Sequence, residues 1–215
     1  MNEPPLPPAF PLRSQARDRV RAALRQEATL APPAGWRRSA LALAGTALGL
    51  LLALTLGGLA AGAIDPAVLS AHLVAIGPAL AVGQLAAVAA LMPGGRSLRR
   101  ASLLLGASAA ALLVASRVEA LRPATTPGWV CTASHVATAV LPGLVALAAL
   151  RRLAFDPVRS VVAGLSVGAA GALVGELVCQ QGPLHVLVFH LPAWAFSILA
   201  VTFISTRLHR SSHAP

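Results

Sequence analysis

Cys131 and Cys179 are the only thiols in a chain of 215 residues. Each lies at the end of a long apolar run, about one membrane crossing from the shared basic turn Arg151-Arg152. Cys131 and His135 are four residues apart and Glu176 and Cys179 three apart, so each pair occupies one side of its helix. If both runs span a bilayer, two thiols, an imidazole and a carboxylate converge at one face. Three chemistries are open to them. They can form a structural disulfide in an oxidising compartment. They can form a reversible redox or metal-sensing cluster, Cys131, Cys179, His135 and Glu176, with His185 or His190 as further ligands and zinc or copper bound transiently. Or they can be small apolar side chains near an interface. Catalytic signatures are missing: no H-E-x-x-H, Walker loop, G-x-S-x-G or acid pair stands in the sequence. The chain therefore does not read as an enzyme, and no permanent cofactor is expected.

The elements that must position these residues are membrane helices. The sequence is 56% apolar and 11% charged, with mean hydropathy +0.73, whereas globular domains carry roughly 25% charged residues. Runs of about twenty apolar residues are long enough to cross a hydrocarbon core, and helices satisfy their own backbone groups there. The expected fold is all-α and polytopic. Six transmembrane helices are predicted near Ala40 to Ala63, Val68 to Leu91, Ala101 to Ser116, Val130 to Leu150, Val158 to Val178 and Val186 to Ile204. The third is short and is expected to run past Ser116, with Arg117 snorkelling outward. Three segments follow: a cytoplasmic region over 1–38, the membrane domain over 39–208 and a short tail over 209–215.

All seventeen basic residues are arginine. Alternate connections carry seven, three, three and two of them on one side, and none, two and none on the other. The positive-inside rule then puts both termini in the cytoplasm. Because the arginines flank apolar runs instead of forming one basic face, the net charge of +10 does not point to direct nucleic-acid binding. The first apolar run is long and follows a proline-rich polar segment, so an uncleaved anchor is expected.

Ahead of the membrane, Ser14 is placed to cap a helix reaching about Glu27. Leu12, Ala16, Val20 and Leu24 recur every four residues on it, beside a basic stripe of Arg13, Arg17, Arg21 and Arg25. Such a helix either rests on anionic lipid headgroups or docks a soluble partner. In the fifth run Gly164, Gly168, Gly171 and Gly175 form a stripe that admits a close neighbour; the fourth run, joined by a short loop, is the expected one.

These residues carry a resemblance. Cys131 followed by Pro142, the turn with Arg151, Arg152 and Pro157, the run Gly164 to Gly175, then Cys179, Pro183 and Trp194 resemble the NrsF-type integral membrane anti-sigma factors. The likeness covers the last three spans best, and Glu176 and the stretch His185 to His190 depart from the pattern. It implies a six-span bacterial inner-membrane protein whose N-terminal segment holds an extracytoplasmic-function sigma factor inactive. Arg13, Arg17, Val20, Arg21, Leu24 and Arg25 would then face that sigma factor. Cys131 and Cys179 match the family's paired periplasmic cysteines, linked to metal or oxidative stress, and membrane anti-sigma factors that respond to light share this outline. A small membrane transporter and a membrane thiol-redox protein are the alternatives. The sequence is silent on oligomeric state.

Overall fold

The computed structural model describes residues 35–117, 127–179 and 181–211, together with Asp18. The chain divides into two units, Met1–Ala34 and Gly35–Pro215. Arg13, Arg17, Val20, Arg21, Leu24 and Arg25 lie outside the described residues.

Long helices make up the second unit: α1 (Trp36–Ala60), α2 (Pro66–Leu91), α3 (Arg96–Ala115), α4 (Gly128–Leu150), α5 (Pro157–Val178) and α6 (Leu191–Ser211). A short turn, Pro183–His185, and a π-helical segment, Val186–His190, lead directly into α6. Among the described residues there is no strand. Two starts follow one chemical rule. Asp65 and Asp156 cap α2 and α5 by accepting from the amides of Ala67 at 2.8 Å and Val158 at 3.0 Å. Each is followed by a proline whose missing N–H costs nothing at a helix start.

Among the described residues five stretches, Trp36–Ala60, Arg96–Ala115, Gly128–Leu150, Pro157–Leu177 and Pro183–His209, are long and apolar enough to cross a membrane, and α2 contributes the apolar stretch Ile76–Leu91. Their outer surfaces are greasy: Leu41, Leu56, Leu104, Leu199 and Phe203 are all exposed. Water would penalise so continuous an apolar exterior, and lipid does not. The chain is a multi-pass membrane protein.

One helix is interior to the rest. In α5, 89% of the apolar stretch is buried, against 22–39% in the other four. Small side chains allow this, because Ala163, Ser166, Ala169, Ala170 and Ala172 let neighbouring backbones approach on every side. The glycine stripe serves two neighbours instead of α4 alone. A methyl group on Gly164 would sit 2.6 Å from the Cα of Ile198, and one on Gly168 would overlap Trp194, both in α6; Gly171 and Gly175 instead accommodate His135 of α4. Polar contacts fix the α5–α6 register. The indole Nε1 of Trp194 donates to the carbonyl of Leu165 at 3.0 Å, and the hydroxyls of Ser160 and Ser205 lie 2.6 Å apart.

The end of α3 corrects the expected snorkelling. The helix stops at Ala115, and Arg117 turns inward with only 7% of its surface exposed. A buried guanidinium needs a buried anion, and Glu176 near the end of α5 supplies it.

Candidate functional site

The residues around the two thiols are positioned by three chain segments. Cys131 lies in the first turn of α4, Cys179 is the C-cap of α5, and His185 and His190 flank the π-helical segment. That segment has a local cause. Pro192 has no N–H to donate and its ring crowds the preceding turn, so the backbone widens and Leu191 donates to Val186, five residues back. In a regular α-helix two residues five apart point about 140° away from each other. The wider turn brings His185 and His190 to one side, with ring centroids 5.3 Å apart. Thr132 of α4 holds the segment by donating to the carbonyl of Phe189 at 3.0 Å.

One ligating atom from each of Cys131, Cys179, His185 and His190 lies within 4.8 Å of every other. Both cysteines are free thiols. Cys179 and His190 are buried, whereas Cys131 and His185 are half-buried, so the cluster is closed on the protein side and reachable from the other. The Nε2 atoms of His185 and His190 are buried and have no hydrogen-bond partner. A buried polar atom left unsatisfied costs about 1–3 kcal/mol.

Behind the cluster stands a charged network. His190 donates from Nδ1 to Glu176 at 2.8 Å. Arg117 donates from Nε to the same carboxylate at 3.1 Å and pairs with it again through Nη2. Its Nη1 donates to the carbonyl of Cys179 at 2.6 Å and its Nη2 to the carbonyl of Glu176 at 3.3 Å. The guanidinium thus caps the C-terminal end of α5, where carbonyls lack helical partners and the helix dipole favours a cation. Glu176, 2% exposed, engages Nδ1 of His190 and leaves Nε2 as the ring nitrogen without a partner.

Cys131 and Cys179 therefore come together, but the nearest further donors are His185 and His190. Glu176 stands one shell out, engaged by Arg117 and His190. His135 is 2% exposed, with its ring centroid 4.4 Å from that of His190 and both ring nitrogens unpartnered. Its backbone and ring fill the notch left by Gly171 and Gly175. Residue spacing missed Arg117 because its partner lies 59 positions away and no local pattern links them. His190 already stood among the possible further ligands, and Pro192, which has no N–H to donate, is the local signal that the turn before it widens.

At the opposite end of α5 a second pair closes the bundle. Arg99 is buried, contacts Asp156 at 3.2 Å, and reaches the carbonyls of Ala89 and Met92. His209 of α6 lies 3.0 Å from the carbonyl of Leu153 in the arginine turn.

Two thiols and two imidazoles in a tetrahedral-sized cluster can hold a borderline or soft cation, or couple oxidatively.

Over 203 residues the chain is 44% identical to the carotenogenesis protein CarR of Myxococcus xanthus, a match spanning 93% of this chain and 91% of that protein. No family model matches the chain, and no solved structure matches it.

Proposed function

The chain belongs to the family of the carotenogenesis protein CarR, and on that premise we propose that it is an inner-membrane anti-sigma factor. Its six spans leave both termini in the cytoplasm. Its N-terminal segment, residues 12–38, sequesters an extracytoplasmic-function sigma factor. An envelope, oxidative, metal or light stress received at the outer face releases the sigma factor, and genes for carotenoid synthesis are among its targets. The resemblance of the last three spans to NrsF-type anti-sigma factors supports the partner class, as does the basic amphipathic stripe of Arg13, Arg17, Arg21 and Arg25.

The observation that carries the reading is the packed interior. Transporters place polar and charged groups at mid-membrane. Here the buried charges of the described residues sit at the two ends of α5, Arg99 at one and Arg117 with Glu176 at the other, and between them the buried side chains are uncharged, chiefly Ala, Leu, Val, Gly and Ser with Pro142 and Trp194. An interior without buried charge between those two ends, among the described residues, in a protein whose relative is named for a biosynthetic outcome, fits regulation better than transport.

Co-purification tests it. Full-length protein extracted in detergent should retain one sigma factor, and removal of residues 1–38 should abolish retention and raise transcription of the target genes without stress. If no sigma factor is retained and the deletion leaves transcription unchanged, the reading fails.

A further inference from the structure

We propose that Cys131, Cys179, His185 and His190 form a four-coordinate site for a divalent closed-shell cation, zinc, with Glu176 and Arg117 as its outer shell. The inference deepens the sensory reading of the outer face but rests on geometry alone, and it holds whether or not a sigma factor is the partner.

Four observations converge. First, the ligating atoms lie within 4.8 Å of one another. Zinc bonds of about 2.0–2.3 Å in a tetrahedron need separations of about 3.3–3.8 Å, so side-chain torsions close the set. Second, Nε2 of His185 and Nε2 of His190 are buried without hydrogen-bond partners. An acceptor nitrogen in that state is satisfied by a proton donor or by a metal, and the neighbouring groups offering themselves are thiols and another imidazole. Third, His190 already has the support that metal-bound histidines receive, its Nδ1–H held by Glu176 at 2.8 Å. Fourth, the π turn spends regular helical geometry at the one place where it brings the two imidazoles to the same side. Such turns recur at functional sites.

Charge separates a divalent ion from copper(I). Loading exchanges one cation for two thiol protons, which leave to solvent. The two thiolates then cancel a divalent ion, while Glu176 and Arg117 cancel each other, so the loaded site is neutral in a low-dielectric surrounding. Copper(I) would leave a net negative charge there, which burial opposes. Half-buried Cys131 and His185 supply the way in. The loaded site would tie α4, the end of α5 and the π segment into one unit.

The test uses full-length protein in detergent, stripped with a chelator under reducing conditions and then given zinc chloride. About one zinc per chain should remain after desalting, and it should protect both thiols of the wild type from alkylation. Cobalt(II) in its place should give thiolate-to-cobalt charge-transfer absorption. Cys131→Ser/Cys179→Ser and His185→Ala/His190→Ala should each lose the bound zinc, and Glu176→Gln should weaken it by about 10- to 100-fold. His209→Ala, at the other end of the bundle, should bind normally. Zinc retained equally by the double cysteine variant, thiols alkylated equally with and without zinc, or a Cys131–Cys179 disulfide recovered from trapped cells would each overturn the proposal. Zinc bound as expected but with no sigma factor retained would leave the site standing and sink the anti-sigma reading. A retained sigma factor without zinc would do the reverse.

Discussion

Arg117 donates from Nη1 to the carbonyl oxygen of Cys179 at 2.6 Å, so the residue that closes α5 and the residue that follows α3 hold one another across 62 positions of sequence. The same guanidinium neutralises Glu176, and both side chains are almost wholly buried, at 5% and 2% exposed. A single arginine thus fixes the backbone that carries a thiol and the carboxylate that orients His190.

Arg117→Ala should therefore be among the most damaging single changes at the thiol end of the bundle. Removing one partner of a buried pair typically costs about 3–5 kcal/mol, because the remaining charge is stranded. Arg117→Met combined with Glu176→Gln removes both charges and should recover much of the loss. Thermal unfolding in detergent, followed by intrinsic tryptophan fluorescence, would show it; a double variant no better than Arg117→Ala would mean the pair is not the source of the stability.

Gly175→Ala should destabilise by about 1–3 kcal/mol, the usual range for overpacking, because the added methyl would overlap the ring of His135. His135→Ala vacates that volume, so the two changes together should cost less than their sum, as contacting sites do in a double-mutant cycle. Strict additivity would place His135 elsewhere.

Pro192→Ala restores a backbone donor and allows the widened turn to relax to regular α-helix. His185 and His190 would then diverge by about 140° although all four donors remain. Zinc affinity should fall by at least about tenfold, the lower end of losses from misplaced support, while α-helical circular dichroism stays unchanged or rises. Unaltered affinity would show that proline is not what aims the imidazoles.

Reporter fusions address orientation. Those after Gly94, Asp156 and Arg210 should report cytoplasm, and those at Pro127 and Gln181 periplasm. A periplasmic reporter active at Asp156 would place Arg151 and Arg152 outside and reverse the assignment of the thiol cluster.

The membrane helices were legible because hydrophobic length is a local property. The sequence places the fourth span from Val130 to Leu150 where α4 runs Gly128–Leu150, and the first from Ala40 to Ala63 where α1 runs Trp36–Ala60. The two cysteines share one end of the bundle, as expected of helices meeting at a common turn. Their companions were harder to read. Spacing of three and four points to His135 and Glu176 as same-side neighbours, which they are on their own helices. What selects His185 and His190 is a non-standard turn, and what engages Glu176 is an arginine from another helix. Arg117 looks like any cation at a span end until its distant partner is known. The glycine stripe shows that something must pack closely, but not that α6 takes Gly164 and Gly168 while α4 takes Gly171 and Gly175.

The position of α5 has a mechanical consequence. Its 22 residues span about 33 Å at 1.5 Å per residue, with Cys179 and Glu176 at one end and the Arg99–Asp156 clasp at the other. On a rod of that length each degree of tilt about one end displaces the other by about 0.6 Å. Both ends are gripped by buried arginines from the same connecting helix, Arg99 within α3 and Arg117 just beyond it. α3 thus acts as a parallel strut, and a tilt of α5 must either carry α3 with it or break one grip. Distances between genetically encoded spin labels, which leave the thiols untouched, at the exposed positions Ala115 in α3 and Val158 in α5, read with and without zinc, would show which of the two the bundle permits.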